Sequence, residues 1–208
     1  MCNFKSGLVL KDRVFVPDYD NHSQMITELG INDNSPFEPT FVKIEIIPTN
    51  NDPFSDIDSW AFIVDQDRLP EWYVAEVDEP RAREAVKAWA KDHIFINAPG
   101  LVLESGKGYY LKDCPNVVLK GSSRVEYMVG SSSVGRMEDS SRVEYMEDSS
   151  SVGRMEDSSQ ITIAQYWSDG VKQDNIILCN NAIIKDERTK TIYQSGDWKL
   201  VTVASKEI

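Results

Sequence analysis

The sequence is poor in the residues from which most small catalytic and metal sites are built. Its 208 residues include two histidines, His22 and His93, and three cysteines, Cys2, Cys114 and Cys179. An odd cysteine count with no Cys-x-x-Cys spacing argues against a disulfide framework and a zinc site, and points to reduced thiols in a cytoplasmic setting. No apolar run approaches the roughly 18 residues of a membrane span. The opening stretch "MCNFKSGLVLKDRVFV" carries charges inside its apolar part and lacks a cleavage pattern, which speaks against a signal peptide. A Gly-rich phosphate loop, a Ser-His-Asp order and an HExxH pair are all missing. Basic charge is also in deficit: 22 Lys and Arg face 34 Asp and Glu, for a net charge of −12. Direct nucleic-acid binding and binding to anionic membranes both need basic patches, so neither is expected. No cofactor and no metal is expected either.

What is present is a packed composition, with 41% hydrophobic and 10% aromatic residues. Residues 1–100 read as a small α+β domain. "GLVLKDRVFV" predicts a hairpin turning at Lys11-Asp12, and "DNHSQMITELG" a short helix that Asp20, Asn21 or Ser23 caps and Gly30 ends. "FVKIEIIP" alternates Val42, Ile44 and Ile46 against Lys43 and Glu45, the pattern of a half-buried strand. "DEPRAREAVKAWAKDHIF" predicts the clearest helix, with Pro80 in its first turn and Ala82, Ala85, Val86, Trp89 and His93 on one face. From residue 101 to 208 the pattern changes to short strands and turns.

Within that second part, residues 122–166 fall into blocks of nine: "SSRVEYMVG", "SSSVGRMED", "SSRVEYMED", "SSSVGRMED" and "SSQITIAQY". Residues 131–139 recur letter for letter at 149–157, so the true unit is 18 residues made of two similar halves. One such unit cannot bury a core, whereas stacked units can, if each sends the same side chains inward. The inward candidates are Val125, Val134, Val143, Val152 and Ile161, with Met128, Met137, Met146 and Met155. The Ser pairs and the Glu-Asp or Val-Gly pairs supply turns. The expected fold is mainly β: a parallel β-solenoid of 18-residue coils, capped at both ends, beside the small α+β part. The Gly-Gly-x-Gly-x-Asp signature of calcium β-rolls is missing. Val and Met lie three apart, which fits a flat two-sheet coil bent after Val or a triangular one.

"MCNFKSGLVLKDRVFVPDYDNHSQMITELGI", "VDQDRLPEWY", "EAVKAWAKDHIF" and the Ser-Ser-x-Val nonapeptides together resemble a family of uncharacterised proteins from bacteria and their phages. The resemblance covers most of the chain and brings no catalytic motif. Association with phages and mobile elements implies a role against host defence.

Three sets of residues are candidates for function. The acid pairs Glu138-Asp139, Glu147-Asp148 and Glu156-Asp157 recur at nine and fall at the two corners of a coil. The coil at 140–157 holds five acids and two arginines, net −3. With strands about 4.8 Å apart, that density approaches the one charge per about 1.7 Å of B-DNA. Tyr127 and Tyr145 repeat at 18 and predict a tyrosine ladder that could join a binding face. Asp18, Asp20 and His22 in "PDYDNH" resemble metal ligands but suit helix capping better. Cys2, exposed by removal of Met1, would be an N-terminal nucleophile, yet only two histidines could serve it. The leading expectation is a non-catalytic, cytoplasmic interaction protein from a phage or other mobile element. It would bind and inhibit a host protein, for example a basic nucleic-acid-binding enzyme, as an anti-defence, anti-CRISPR-like or DNA-mimicking inhibitor. The alternatives are a structural β-solenoid component of a phage or cell-surface assembly, and an enzyme built on Cys2.

Overall fold

A computed structural model describes residues 4–31, 39–163 and 176–195 of the chain. The chain divides into two compact units, Met1–Ile94 and Phe95–Ile208.

In the first unit, strands β1 (Lys5–Leu10), β2 (Val14–Phe15), β3 (Phe41–Ile47) and β4 (Ala61–Val64) form an antiparallel sheet in the order β2-β1-β3-β4. The β1–β2 hairpin turns at Lys11-Asp12, where Leu10 N–H donates to the Arg13 carbonyl at 2.8 Å. Helix α1 (His22–Glu28) is capped by the Asn21 side chain, which accepts from Gln24 N–H at 3.0 Å. Gly30 follows it with a left-handed φ of +63°, the conformation that glycine adopts without steric cost. Helix α2 (Ala75–Lys91) starts earlier than its sequence pattern predicts, so Pro80 lies inside the helix and not in its first turn. The Asp78 carboxylate explains the early start: it accepts from Val74 N–H at 2.9 Å and pairs with Arg81 at 2.5 Å.

The two faces of β3 pack differently. Val42, Ile44 and Ile46 share a core with Trp60, Ala82 and Val86 of the α2 side. Phe41 packs with Leu8 and Met25 of α1. Alternation in β3 therefore does not mark a wet face. Glu45, which the pattern places toward solvent, is 7% exposed.

The second unit is a parallel β-solenoid of about four turns of roughly 18 residues. Its strands are β5 (Ile94–Ile96), β6 (Val102–Leu103), β7 (Gly108–Lys112), β8 (Val117–Leu119), β9 (Arg124–Val129), β10 (Ser133–Met137), β11 (Arg142–Val143), β12 (Ser151–Met155), β13 (Gln160–Ile163), β14 (Ile177–Leu178), β15 (Ile183–Asp186) and β16 (Thr191–Gln194). From β5 to β15 successive strands alternate between two sheets, ordered β14-β12-β10-β8-β6 and β16-β15-β13-β11-β9-β7-β5. The coil is thus the flat two-sheet form. Val134 pairs with Val152, Met137 with Met155, and Val143 with Val125 and Ile161, each 18 residues apart. All nine expected inward side chains are buried, at 4% exposure or less. The antiparallel strand β16 pairs with β15 at the C-terminal end of the seven-stranded sheet. A strand that runs against the stack interrupts the parallel template that another coil would need.

The three-residue Val-to-Met spacing has a simple geometry. In β10 and β12, Val and Met both point inward, and the two residues between them, Gly-Arg, both face solvent. The preceding strands β7 and β8 instead keep strict alternation. Where the two kinds meet, the register slips by one residue, between Val134 and Arg136 against β8 and between Tyr109 and Tyr110 against β9. Each repeat strand therefore carries one extra outward residue, as a β-bulge does.

Candidate functional site

The corners of the solenoid hold the acid pairs, and backbone conformation explains their composition. Residues 138–141 form a turn in which Ser141 N–H donates to the Glu138 carbonyl at 3.2 Å. The second residue of the turn, Asp139, has φ of +56°, and the equivalent Asp148 and Asp157 have +56° and +55°. Other turns of the solenoid place Gly121, Gly130 and Asn180 in the same left-handed conformation. Gly, Asn and Asp are the residues that tolerate it. The second serine of each pair, at 123, 132, 141, 150 and 159, is buried at 1% exposure or less.

The aspartates also tie one coil to the next. The Asp139 carboxylate accepts from Gly121 N–H at 2.9 Å, Asp148 from Gly130 N–H at 3.1 Å, and Asp157 from Asp139 N–H at 3.2 Å. Each bond reaches the equivalent turn of the preceding coil. Asp113 does the same in the other direction, accepting from both the N–H and hydroxyl of Ser131. Those bonds hold its carboxyl below the usual aspartate range.

The glutamates are paired as well. Glu138 meets Arg136 at 3.0 Å. Glu156 takes Arg136 at 2.6 Å and also Arg154. Hydrogen bonds from the two guanidiniums, Arg136 first, pull the Glu156 carboxyl down and raise both arginines. Glu147 accepts from the Tyr127 hydroxyl at 2.5 Å. On the other sheet Arg124 pairs with Glu126, and Arg142 lies 3.8 Å from Glu144. The arginine columns thus interleave with glutamates, which subdivides the acidic surface. The tyrosine column runs Tyr110, Tyr127 and on toward Tyr145. Tyr127 is half-buried against Glu147, whereas Tyr145 is 53% exposed. Six acids and one tyrosine therefore have roles inside the stack, and Tyr145 presents most of its ring to solvent.

In the first unit the "PDYDNH" candidates separate. Asp18 Oδ1 lies 3.0 Å from His93 Nε2. Asp20 pairs with the buried Lys5 at 2.8 Å and accepts from Ser6 N–H. Burial pushes the Lys5 ammonium down, and Asp20 opposes that shift. His22 Nε2 lies 3.1 Å from the Ile44 carbonyl oxygen. His93 is 2% exposed, stacks on Trp89 with centroids 4.5 Å apart, and places Nδ1 2.7 Å from the Trp89 carbonyl oxygen. Cys2 lies outside the described residues, as do Trp167 and Trp198. Cys114 is buried and Cys179 half-buried, both as free thiols. The acidic segments "NDPFSDID" and "EVDEP" meet at an open depression lined by Asp58, Glu76, Glu79, Arg83 and Glu84. No protein-family model, no curated protein and no solved structure matches the chain.

Proposed function

We propose that this chain is a non-catalytic interaction protein in which the solenoid acts as a rigid display surface for a protein partner. The observation that carries this reading is the regularity of the outward columns. Parallel strands in register repeat the same side chains at about 4.8 Å steps, and the coil at 140–157 keeps three uncompensated negative charges after its two arginines are paired. A hydrogen-bonded carboxylate is still an anion. The corners around Glu138, Asp139, Glu147, Asp148, Glu156 and Asp157, with the exposed Tyr145 beside them, make a surface that suits a basic partner. The resemblance to phage-associated proteins makes that partner a host protein, and the action inhibitory. A cytoplasmic location goes with this reading.

The test uses substitutions that the turns accept: Asn for the three aspartates and Gln for the three glutamates. The tagged wild-type chain and this variant are exposed to host lysate, and the captured proteins are compared by mass spectrometry at low and high salt. The reading expects a basic protein that the wild type captures, that the variant loses, and that salt releases. Equal capture by both would place the contact elsewhere. A parallel variant at Asp58, Glu76 and Glu84 tests the acidic depression of the first unit.

A second reading, a structural component of a larger assembly, is favoured by the solenoid itself, a fold that extends by whole coils. Light scattering separates the two. A monomer that binds a host protein supports the interaction reading, and a stable trimer or filament supports the structural one.

A further inference from the structure

His22, Glu45 and Asp65 come together on the face of the first sheet that α1 covers. His22 is the first residue of α1, Glu45 lies in β3, and Asp65 directly follows β4, its N–H donating to the Lys43 carbonyl at 2.9 Å. One donor atom from each residue lies within 4.8 Å of the other two. His22 and Glu45 are 8% and 7% exposed, while the Asp65 side chain is 56% exposed. The cluster is thus a buried pair with one carboxylate at its mouth.

The orientation of the imidazole is fixed. Nε2 faces the Ile44 carbonyl oxygen at 3.1 Å. A carbonyl can only accept, so Nε2 carries the hydrogen. Nδ1 is then the nitrogen turned toward Asp65, 3.5 Å from Oδ2. That separation exceeds the 2.7–3.2 Å of an ordinary N–H···O bond. It matches another geometry. Two donors bound to one ion at about 2.0–2.2 Å with a tetrahedral angle are about 3.4 Å apart. An imidazole whose far N–H is held by a backbone carbonyl is also the usual support of a histidine ligand. The other histidine of the unit, His93, lies with Nε2 3.0 Å from Asp18 Oδ1.

We propose that His22 Nδ1, Glu45 and Asp65 bind a first-row divalent cation. One imidazole and two carboxylates form the mixed nitrogen–oxygen set that suits Mn²⁺ or Zn²⁺ better than Ca²⁺. Three protein donors leave the rest of the coordination shell to water, reached through the exposed Asp65 side. The ion ties α1 to β3 and to the end of β4, so it stabilises the first unit by mass action. This inference is independent of the partner-binding reading, which concerns the solenoid.

The test uses the full chain after chelator treatment and dialysis. Mn²⁺ is titrated in and followed by the loss of the free-ion EPR signal, because Mn²⁺ avoids the thiols that would confuse a Zn²⁺ titration. Zn²⁺ then competes for the site. One Mn²⁺ per chain is expected to bind and to raise the melting temperature. Asp65→Asn, at an exposed position that folding tolerates, is expected to weaken binding by more than about tenfold. Glu45→Gln and His22→Gln, checked for fold by circular dichroism, are expected to abolish it. If stoichiometric Mn²⁺ binding is missing in the wild type, or if Asp65→Asn binds with unchanged affinity, the proposal is overturned.

Discussion

The left-handed aspartates at the solenoid corners make the sharpest demand on the sequence. Consider replacing Asp139, Asp148 and Asp157 together, once with Asn and once with Ala. An alanine forced into the left-handed region costs about 1–2 kcal/mol. Losing the hydrogen bond from the preceding coil costs about 0.5–1.5 kcal/mol more. Asp139 and Asp157 are hydrogen-bonded to each other, so their costs are not fully additive. The alanine variant should still lose about 4–9 kcal/mol, a large part of the roughly 5–15 kcal/mol that stabilises a domain. Asparagine adopts the conformation and its amide oxygen can accept the same N–H, so it should cost little. Serine should behave more like alanine, since its hydroxyl does not offset the left-handed backbone. Thermal melting followed by far-ultraviolet circular dichroism reads the difference directly. At several degrees per kcal/mol, the two triple variants should melt more than about 10 °C apart. Melting within a few degrees of each other would show that neither the left-handed turn nor its carboxylate bond supports the stack.

The buried serines give a second prediction: Ser132 donates to Val129 O at 2.7 Å and accepts from Cys114 N–H, whereas Ser141 Oγ has no hydrogen-bond partner among the described residues. Ser132→Ala should therefore cost about 1–3 kcal/mol and Ser141→Ala nothing or less; equal losses in denaturant titrations would contradict this. Deleting residues 140–157 joins Asp139 to Ser158 in register and keeps every later strand in its own sheet, so it should leave a cooperative fold. Deleting 140–148 sends all later strands to the opposite sheet and should be far more damaging, and equal melting of the two deletions would contradict the 18-residue coil. Asp186 is 1% exposed, and bonds from the Arg188 side chain, at 3.0 and 2.8 Å, hold its carboxyl below the usual range. A carboxyl lowered by folding stabilises the protein above its unfolded value near pH 4 and loses that effect as pH falls through its folded value. The melting difference between wild type and Asp186→Asn should shrink below about pH 4, and a difference that stays constant with pH would contradict this.

Much of the solenoid could be read from the chain because the repeat is nearly exact. Identical residues at identical phase leave few ways to bury Val and Met together, and all nine expected side chains are inside. The bulge was less legible. A spacing of three fits neither strand period, and only the pairing of repeat strands with alternating neighbours shows that Gly-Arg is the outward pair. The left-handed turn did leave a signal, since Gly121, Gly130, Asp139, Asp148 and Asp157 occupy equivalent turn positions. Recognising it requires seeing what Gly and Asp share. The candidate acids were legible as a pattern, but their arginine, tyrosine and backbone partners lie up to 20 residues away and are set by stacking. In the first unit, Glu45 was misread because alternation in β3 shows two environments without saying that α1 covers the second. The same burial concealed the His22–Glu45–Asp65 cluster, whose members are distant in sequence and converge only when α1 lies on the sheet.

The central claim is that residues 18 apart are neighbours in a parallel stack and residues nine apart lie on opposite sheets. Paired spin labels test it directly, in a background with Cys2, Cys114 and Cys179 replaced. Arg124 and Arg142 are register partners with exposed side chains, so labels at Arg124→Cys and Arg142→Cys should sit about 5 Å apart at the backbone and broaden each other's spectra strongly. Labels at Arg124→Cys and Ser133→Cys, on different sheets, should show no such broadening. Strong broadening for the second pair and not the first would make the nonapeptide the coil and contradict this structure.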